Sequence, residues 1–191
     1  MGVGLLVGRF QPLHNGHVEL LRHVRRQFRP SAVLWVIGSA EVSHTVHDPF
    51  TAGERFEMSV RMAKAERIED LWPIPVPDVH RHAIWVSYLE SMLPPFSEVY
   101  TSDPLSRVLF EEAGYTVPKL PFFRRELFQG TELRRRMIAG EPWEEGVPPA
   151  VVRYLEEIQG VERLRLLAGS AEATKGSGRE HEPEGPGPTG H

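Results

Sequence analysis

Apolar positions along the chain fall into short runs closed by glycine, proline or helix-capping residues. Val3-Gly4-Leu5-Leu6-Val7 is a continuous apolar run ending at Gly8, the pattern of a buried strand followed by a tight turn. From Gly16 to Phe28 the period changes, with Val18, Leu21 and Val24 at helical spacing, which predicts an amphipathic helix. Ala32 to Ile37 reads as a second buried strand, closed by Gly38. Strand, helix and strand in so short a span form a βαβ unit, and such units imply a parallel sheet. Thr51-Ala52-Gly53-Glu54 forms a capping box for a helix running to about Ala65. Leu71 to Val76 is a third strand, which Pro73 and Pro75 restrict to an edge. Ile84 to Met92 reads as helix, Glu98 to Thr101 as a fourth strand, and Asp103-Pro104 as the cap of a helix ending before Gly114. Tyr115 to Leu120 is a candidate fifth strand. Thr131 is placed as the cap of a short helix reaching about Ala139, and Pro148 opens another to Ile158, with continuation beyond Gly160. The predicted fold class is α/β: a doubly wound parallel sheet over residues 1–168, with a small C-terminal helical part from about 148.

After Gly169 the pattern stops. Residues 169–191 are rich in Gly, Pro, Ser and Glu with almost nothing apolar, which predicts a disordered tail. The remaining length, out of 191 residues, suits one well-cored domain better than two. A formal net charge of -4 gives no global basic field, so no nucleic-acid partner is expected and any phosphate site must be a local basic cluster. The chain contains no cysteine, which removes disulfides, thiolate zinc sites and thiol nucleophiles together. No stretch has the composition of a signal peptide or of a membrane span, so the expectation is a cytoplasmic protein with no membrane partner.

Chemistry concentrates where helices begin. In Gly8-Arg9-Phe10-Gln11-Pro12-Leu13-His14-Asn15-Gly16-His17, a strand-end glycine leaves room for a ligand against the backbone, and Arg9 offers a planar charged fork for phosphate. His14 and His17 flank a helix N-terminus, whose free N–H groups and positive end favour the same anion. Either histidine alone would read as a polar surface residue; the block as a whole reads as a phosphate site. Gly130-Thr131-Glu132-Leu133-Arg134-Arg135-Arg136 supplies a second clamp, with Thr131 and Arg134 toward one end of a helix and Arg135 and Arg136 pointing elsewhere. Taken alone it would be an ordinary cap with a solvated basic face. Gly38-Ser39-Ala40, Ser43-His44 and His47-Asp48-Pro49-Phe50 form polar loops after the second strand, and Trp85 near a helix start can stack on a base or pack in the core. Phosphate-loop, dinucleotide-fingerprint, serine-elbow and zinc-protease motifs are all missing.

These blocks, together with Phe50-Thr51-Ala52-Gly53-Glu54-Arg55, Trp85-Val86 and Gly160-Val161-Glu162-Arg163, resemble the archaeal-type nicotinamide-nucleotide (NMN) adenylyltransferases of the HxGH nucleotidyltransferase superfamily. The likeness runs from about Val3 to Val161. It implies a Rossmann-like nucleotidyltransferase fold and transfer of AMP from ATP to nicotinamide mononucleotide, giving NAD and pyrophosphate by direct in-line displacement. It also implies roles. His14, His17, Arg9 and Arg134 would be catalytic, and Gly8, Arg9, Phe10, His14, His17, Arg125, Thr131 and Arg134 would bind ATP. Gly38, His47, Asp78, His82 and Trp85 would bind the mononucleotide, with His47 and His82 standing where arginine and asparagine are usual. No protein metal site is implied; Mg²⁺ would arrive with ATP. The family forms homo-oligomers, often hexamers. Alternatives are another HxGH adenylyltransferase acting on FMN or phosphopantetheine, or a catalytically silent nucleotide-binding regulator.

Overall fold

The structure is a computed structural model, and it describes residues 2–120 and 129–177. Four parallel strands, β1 (Val3–Gly8), β2 (Ala32–Ile37), β3 (Leu71–Pro75) and β4 (Glu98–Tyr100), lie in the order β3-β2-β1-β4. β2 is buried at all six positions, as a strand covered on both faces must be, and it pairs with β1 from Val3↔Ala32 to Gly8↔Ile37. The two prolines of β3 are accommodated because that strand lies at an edge. The chain winds outward from β1 to β3, then crosses back to place β4 on the other side of β1, so β1 and β4 bound the point where strand order reverses.

Helices cover both faces. On one, α1 (Asn15–Gln27) and α2 (Ala52–Ala65) pack on Leu6, Val33, Trp35 and Ile37, joined there by α5 (Gly130–Ala139), α6 (Pro149–Glu157) and α7 (Gly160–Ser177). On the other, α3 (His82–Met92) and α4 (Pro104–Glu112) cover Leu5, Leu34, Val36 and Val99 through Val86, Leu89 and Phe110. The doubly wound α/β fold predicted from the periodicity is the one observed. The Thr51 capping box is also formed: Glu54 N–H donates to Thr51 Oγ1 at 3.2 Å, and Thr51 N–H donates back to the Glu54 carboxylate at 2.8 Å.

Three expectations need correcting. The fifth strand, placed at Tyr115 to Leu120, is a single bridge from Glu98 to Thr116, because Pro118 has no N–H to extend the ladder. Thr131 does not cap α5; Gln129 occupies that position and Thr131 lies inside the first turn. Helix α7 continues through Ser177, past the point at Gly169 where a disordered tail was placed. Its polar composition conceals strong helix formers, including Ala168, Ala171, Glu172, Ala173 and Lys175, that extend a helix already nucleated by packing.

One buried cation ties the strand ends together. Arg55, in the first turns of α2, is fully buried and shares a helix face with Met58, Ser59 and Met62. Its guanidinium donates to the carbonyls of Arg9 (3.0 Å), Gly38 (2.7 Å), Ser39 (3.0 Å) and Val42 (3.5 Å), while Nε reaches the Thr51 carbonyl (3.3 Å). These carbonyls lie where the chain leaves β1 and β2, and that of Ser39 also accepts from the Val42 N–H at 3.2 Å. An Arg55→Met variant should lose about 3–5 kcal/mol of stability, since a buried charged hydrogen-bond network is broken. Urea denaturation measures this, and a loss below 1 kcal/mol would show that the clamp is dispensable.

Candidate active site

The loop from Arg9 to His14 leaves the end of β1 and crosses above the sheet before α1 starts. Phe10 turns its ring inward at a backbone φ of +52°, where it stacks on Trp35 with 4.3 Å between ring centres. A Cβ on Gly8 would meet that ring at 2.7 Å. Glycine at this position is therefore required by the protein's own packing, a reason that the sequence did not reveal. Gly38 is the reverse case: a Cβ there would find its nearest atoms at 3.8 Å, so the protein leaves that face open.

Gln11 links three segments. Its side-chain amide donates to the Phe50 carbonyl (2.8 Å) and accepts from the Phe50 N–H (2.9 Å), fixing the loop before α2. Its own carbonyl accepts from Arg134 Nη1 at 2.5 Å, which brings α5 over the start of α1. Arg134 Nη2 also donates to Thr131 Oγ1 at 3.4 Å. Arg135 and Arg136 instead pair with Glu132 and Glu141 on the outer side of the helix, as their positions predicted.

His14 is the N-cap of α1, and its ring stacks on His17 with 3.7 Å between centres. The His14 N–H donates to His17 Nδ1 at 3.2 Å. That bond sets the neutral tautomer of His17, leaving its proton on Nε2. Burial lowers the His14 pKa to about 4, with Arg134 adding to the effect and a backbone hydrogen bond opposing it. His17 is held well below its ordinary value by burial and then by His14. Both rings are therefore neutral donors near pH 7. The buried His14 Nδ1 has no partner within the protein.

Two cavities open at the carboxyl ends of the strands. The first, about 580 Å³, is lined by Arg9, His14, His17, Thr131 and Arg134, with Phe10, Gln11, His47, Asp48 and Gly130. The second, about 240 Å³, is lined by Gly8, Arg9, Gly38, Ser39, Asp78 and Trp85, with Asp103 and Ser106 from the start of α4. Arg9 borders both, and Asp48 reaches it at 3.3 Å. Trp85 is half-buried, its ring set edge-on to Phe110.

Of the residues singled out in the sequence, the structure gathers Arg9, Phe10, His14, His17, Thr131 and Arg134 around the first cavity. It gathers Gly8, Gly38, Asp78 and Trp85 around the second. His47, expected near the mononucleotide, lines the first cavity beside Asp48, because the loop after β2 folds back toward α1. His82 is exposed at the start of α3 and lines neither cavity. Arg125 lies outside the described residues. Sequence reasoning gave no site role to Gln11, Asp48, Arg55 or Ser106, and it read Asp103 only as the helix cap that it is. Arg55 carried a usable signal, since it is a charge on the apolar face defined by Met58 and Met62.

A parallel sheet with its cavities at the reversal point, and a cationic cluster at a helix N-terminus beside one of them, define a nucleotide-handling α/β protein. Residues 5–136 match the cytidylyltransferase-like family, to which the chain belongs. More narrowly, it is 50% identical over 173 residues to a nicotinamide-nucleotide adenylyltransferase of Pyrococcus abyssi, covering 90% of this chain and 92% of that one. A nicotinamide-nucleotide adenylyltransferase of Methanoculleus marisnigri is 48% identical over 174 residues, covering 89% and 99%. The chain belongs to the nicotinamide-nucleotide adenylyltransferase family. The fold also matches a bifunctional NMN adenylyltransferase/ADP ribose pyrophosphatase from Francisella tularensis, complexed with AMP and a manganese ion, at a TM-score of 0.72 and 17% identity. That match covers 95% of this chain and 57% of the other.

The two neutral histidines make stability depend on acid. Their folded pKa values lie below the ordinary unfolded value near 6.5, so between about pH 6.5 and 4 the unfolded chain binds more protons. Stability should accordingly fall as pH drops from 6.5 toward 4, because the unfolded chain takes up protons that the buried histidines refuse. Thermal melts between pH 7 and 4.5 test this. A His14→Asn/His17→Asn double variant should show a flatter profile, and an identical slope would locate the acid sensitivity elsewhere.

Proposed function

We propose that this protein joins ATP to nicotinamide mononucleotide, releasing pyrophosphate and forming NAD. The observation that carries this reading is the pair of cavities meeting at Arg9, one rich in phosphate donors and the other bearing an aromatic ring and a carboxylate. The triphosphate of ATP fits the first, against Arg9, His14, His17, Thr131 and Arg134, with the amino-terminal end of α1 adding its dipole. Gly8 and Phe10 shape the wall beside it. The mononucleotide fits the second, its ring on Trp85, its polar substituent toward Asp78 and its 5′-phosphate toward Arg9. Gly38 permits close approach there.

The reaction needs little covalent help from the protein. The mononucleotide phosphate is an anion at neutral pH, so it attacks the α-phosphorus of ATP without a general base. Catalysis then consists of alignment and of stabilising charge on the α-phosphate and the departing pyrophosphate. His17 Nε2–H is preset to donate, and neutral imidazoles avoid adding two more cations to a pocket that must stand empty between turnovers. Polyanion binding raises imidazole pKa values, so the histidines can gain protons as charge accumulates. Mg²⁺ enters as the Mg–ATP substrate. Among the described residues no cluster of three or more His, Asp or Glu side chains is placed to hold a metal.

In the same reading the enzyme is a cytoplasmic homo-oligomer. No helix among the described residues is long and apolar enough to cross a membrane.

The direct test is formation of NAD from ATP, Mg²⁺ and nicotinamide mononucleotide, run beside FMN and phosphopantetheine as acceptors. Turnover only with another acceptor would keep the mechanism and replace the substrate; ATP binding without turnover would leave a regulator. His17→Ala should lower kcat by about 100-fold, while a near-normal kcat would remove it from the mechanism. Trp85→Ala should raise KM for the mononucleotide by about tenfold while leaving KM for ATP within about twofold, as loss of one stacking face predicts. Parallel increases in both constants would contradict the division of the site into two cavities.

A further inference from the structure

A pocket suited to polyphosphate contains one carboxylate, and its placement calls for a reason. Asp48 lines the first cavity among Arg9, His14, His17 and Arg134. Its main chain is pinned, with N–H donating to Thr45 Oγ1 at 2.9 Å and C=O accepting from Thr45 N–H at 3.2 Å. The carboxylate oxygens accept from Arg9 Nη1 at 3.3 and 3.5 Å. The partners are unequal: the Asp48 side chain is 11% exposed and that of Arg9 65%. The acid is the fixed member and the guanidinium the movable one. Asp48 also supports the charges of Arg55 and Arg134, which burial pulls down first and Arg9 opposes further. With the site empty, Asp48 is thus the counter-charge to three arginines. With a polyanion present it is repulsive, and it holds a guanidinium the polyanion needs.

We propose that Asp48 is an internal competitor for Arg9, keeping that guanidinium at the join of the two cavities in the empty enzyme and yielding it when polyphosphate enters, which limits how tightly pyrophosphate is retained. The proposal rests on the first cavity being the polyphosphate site. Asp48 acts through Arg9 and is a positioning residue. The exchange keeps the empty pocket from repelling itself and makes product departure easier, because the carboxylate is ready to take Arg9 back.

The experiment is calorimetric titration of the full chain with sodium pyrophosphate in EDTA, for the wild type, Asp48→Asn, Asp48→Ser, Arg9→Gln and the Arg9→Gln/Asp48→Asn double variant. The Thr45 ties to Asp48 are made by its main chain, so both single replacements leave them intact, and the serine variant covers a failure of the asparagine one to fold. Removing the carboxylate should tighten pyrophosphate by about three- to tenfold, the range for releasing a partly exposed ion pair and one repulsive charge. In the Arg9→Gln background the gain should shrink to less than half of that factor. Steady-state assays should show stronger product inhibition by pyrophosphate in Asp48→Asn. Equal or weaker binding in both Asp48 variants overturns the competitor role, and so does an undiminished gain without Arg9. A wild type that binds no pyrophosphate and forms no NAD would overturn the polyphosphate reading itself, and the proposal with it.

Discussion

The ends of β1 and β2 are held in place because Arg55 gathers carbonyls from both following loops onto one buried guanidinium. Strands of a parallel sheet end in loops, and every loop that turns inward buries polar backbone. At the ends of β1 and β2, four such carbonyls converge on a single guanidinium, whose five N–H groups spread in a plane wide enough to serve them. Lysine has one head group and cannot span that arc. The two loops that Arg55 joins carry Arg9 and Gly38, which follow the neighbouring strands β1 and β2. Both residues line the second cavity, so one buried side chain holds two parts of its wall in register.

Above that clamp the site is assembled by backbone contacts as much as by side chains. Gln11 fixes Phe50 with its amide and Arg134 with its carbonyl, so a single residue sets the spacing between the α1 start, the α2 approach and the α5 start. The histidine pair follows the same economy. The N–H that a helix start leaves unpaired decides which nitrogen of His17 carries the proton. Burial then keeps both rings uncharged until a ligand supplies the charge to change that.

The sequence displayed the sheet clearly because buried strands and amphipathic helices differ in period, and β1, β2 and α2 were placed to within a residue. It also displayed the two blocks that line the first cavity, since Gly8 to His17 and Gly130 to Arg136 are contiguous. What it hid depends on contacts between distant segments. Gly8 looked like space for a ligand, but only the fold reveals Phe10 beneath it. His47 was assigned to the mononucleotide through resemblance, and the loop's return toward α1 carries it to the first cavity. Pro118 should have ended the fifth strand on chemistry alone. The end of α7 was missed for another reason: composition measures what a segment can bury, whereas helix continuation depends on propensity once packing has begun.

Glu54 completes the cap of α2 and at the same time accepts a bidentate pair from Arg163 in α7, at 2.9 and 2.8 Å and 109 positions away. The loop bearing Asp48 and Phe50 is thus anchored on its far side by α7, a helix that contributes no lining to the first cavity. Loosening α7 would free Glu54 from Arg163 and weaken one support of the loop that carries Asp48.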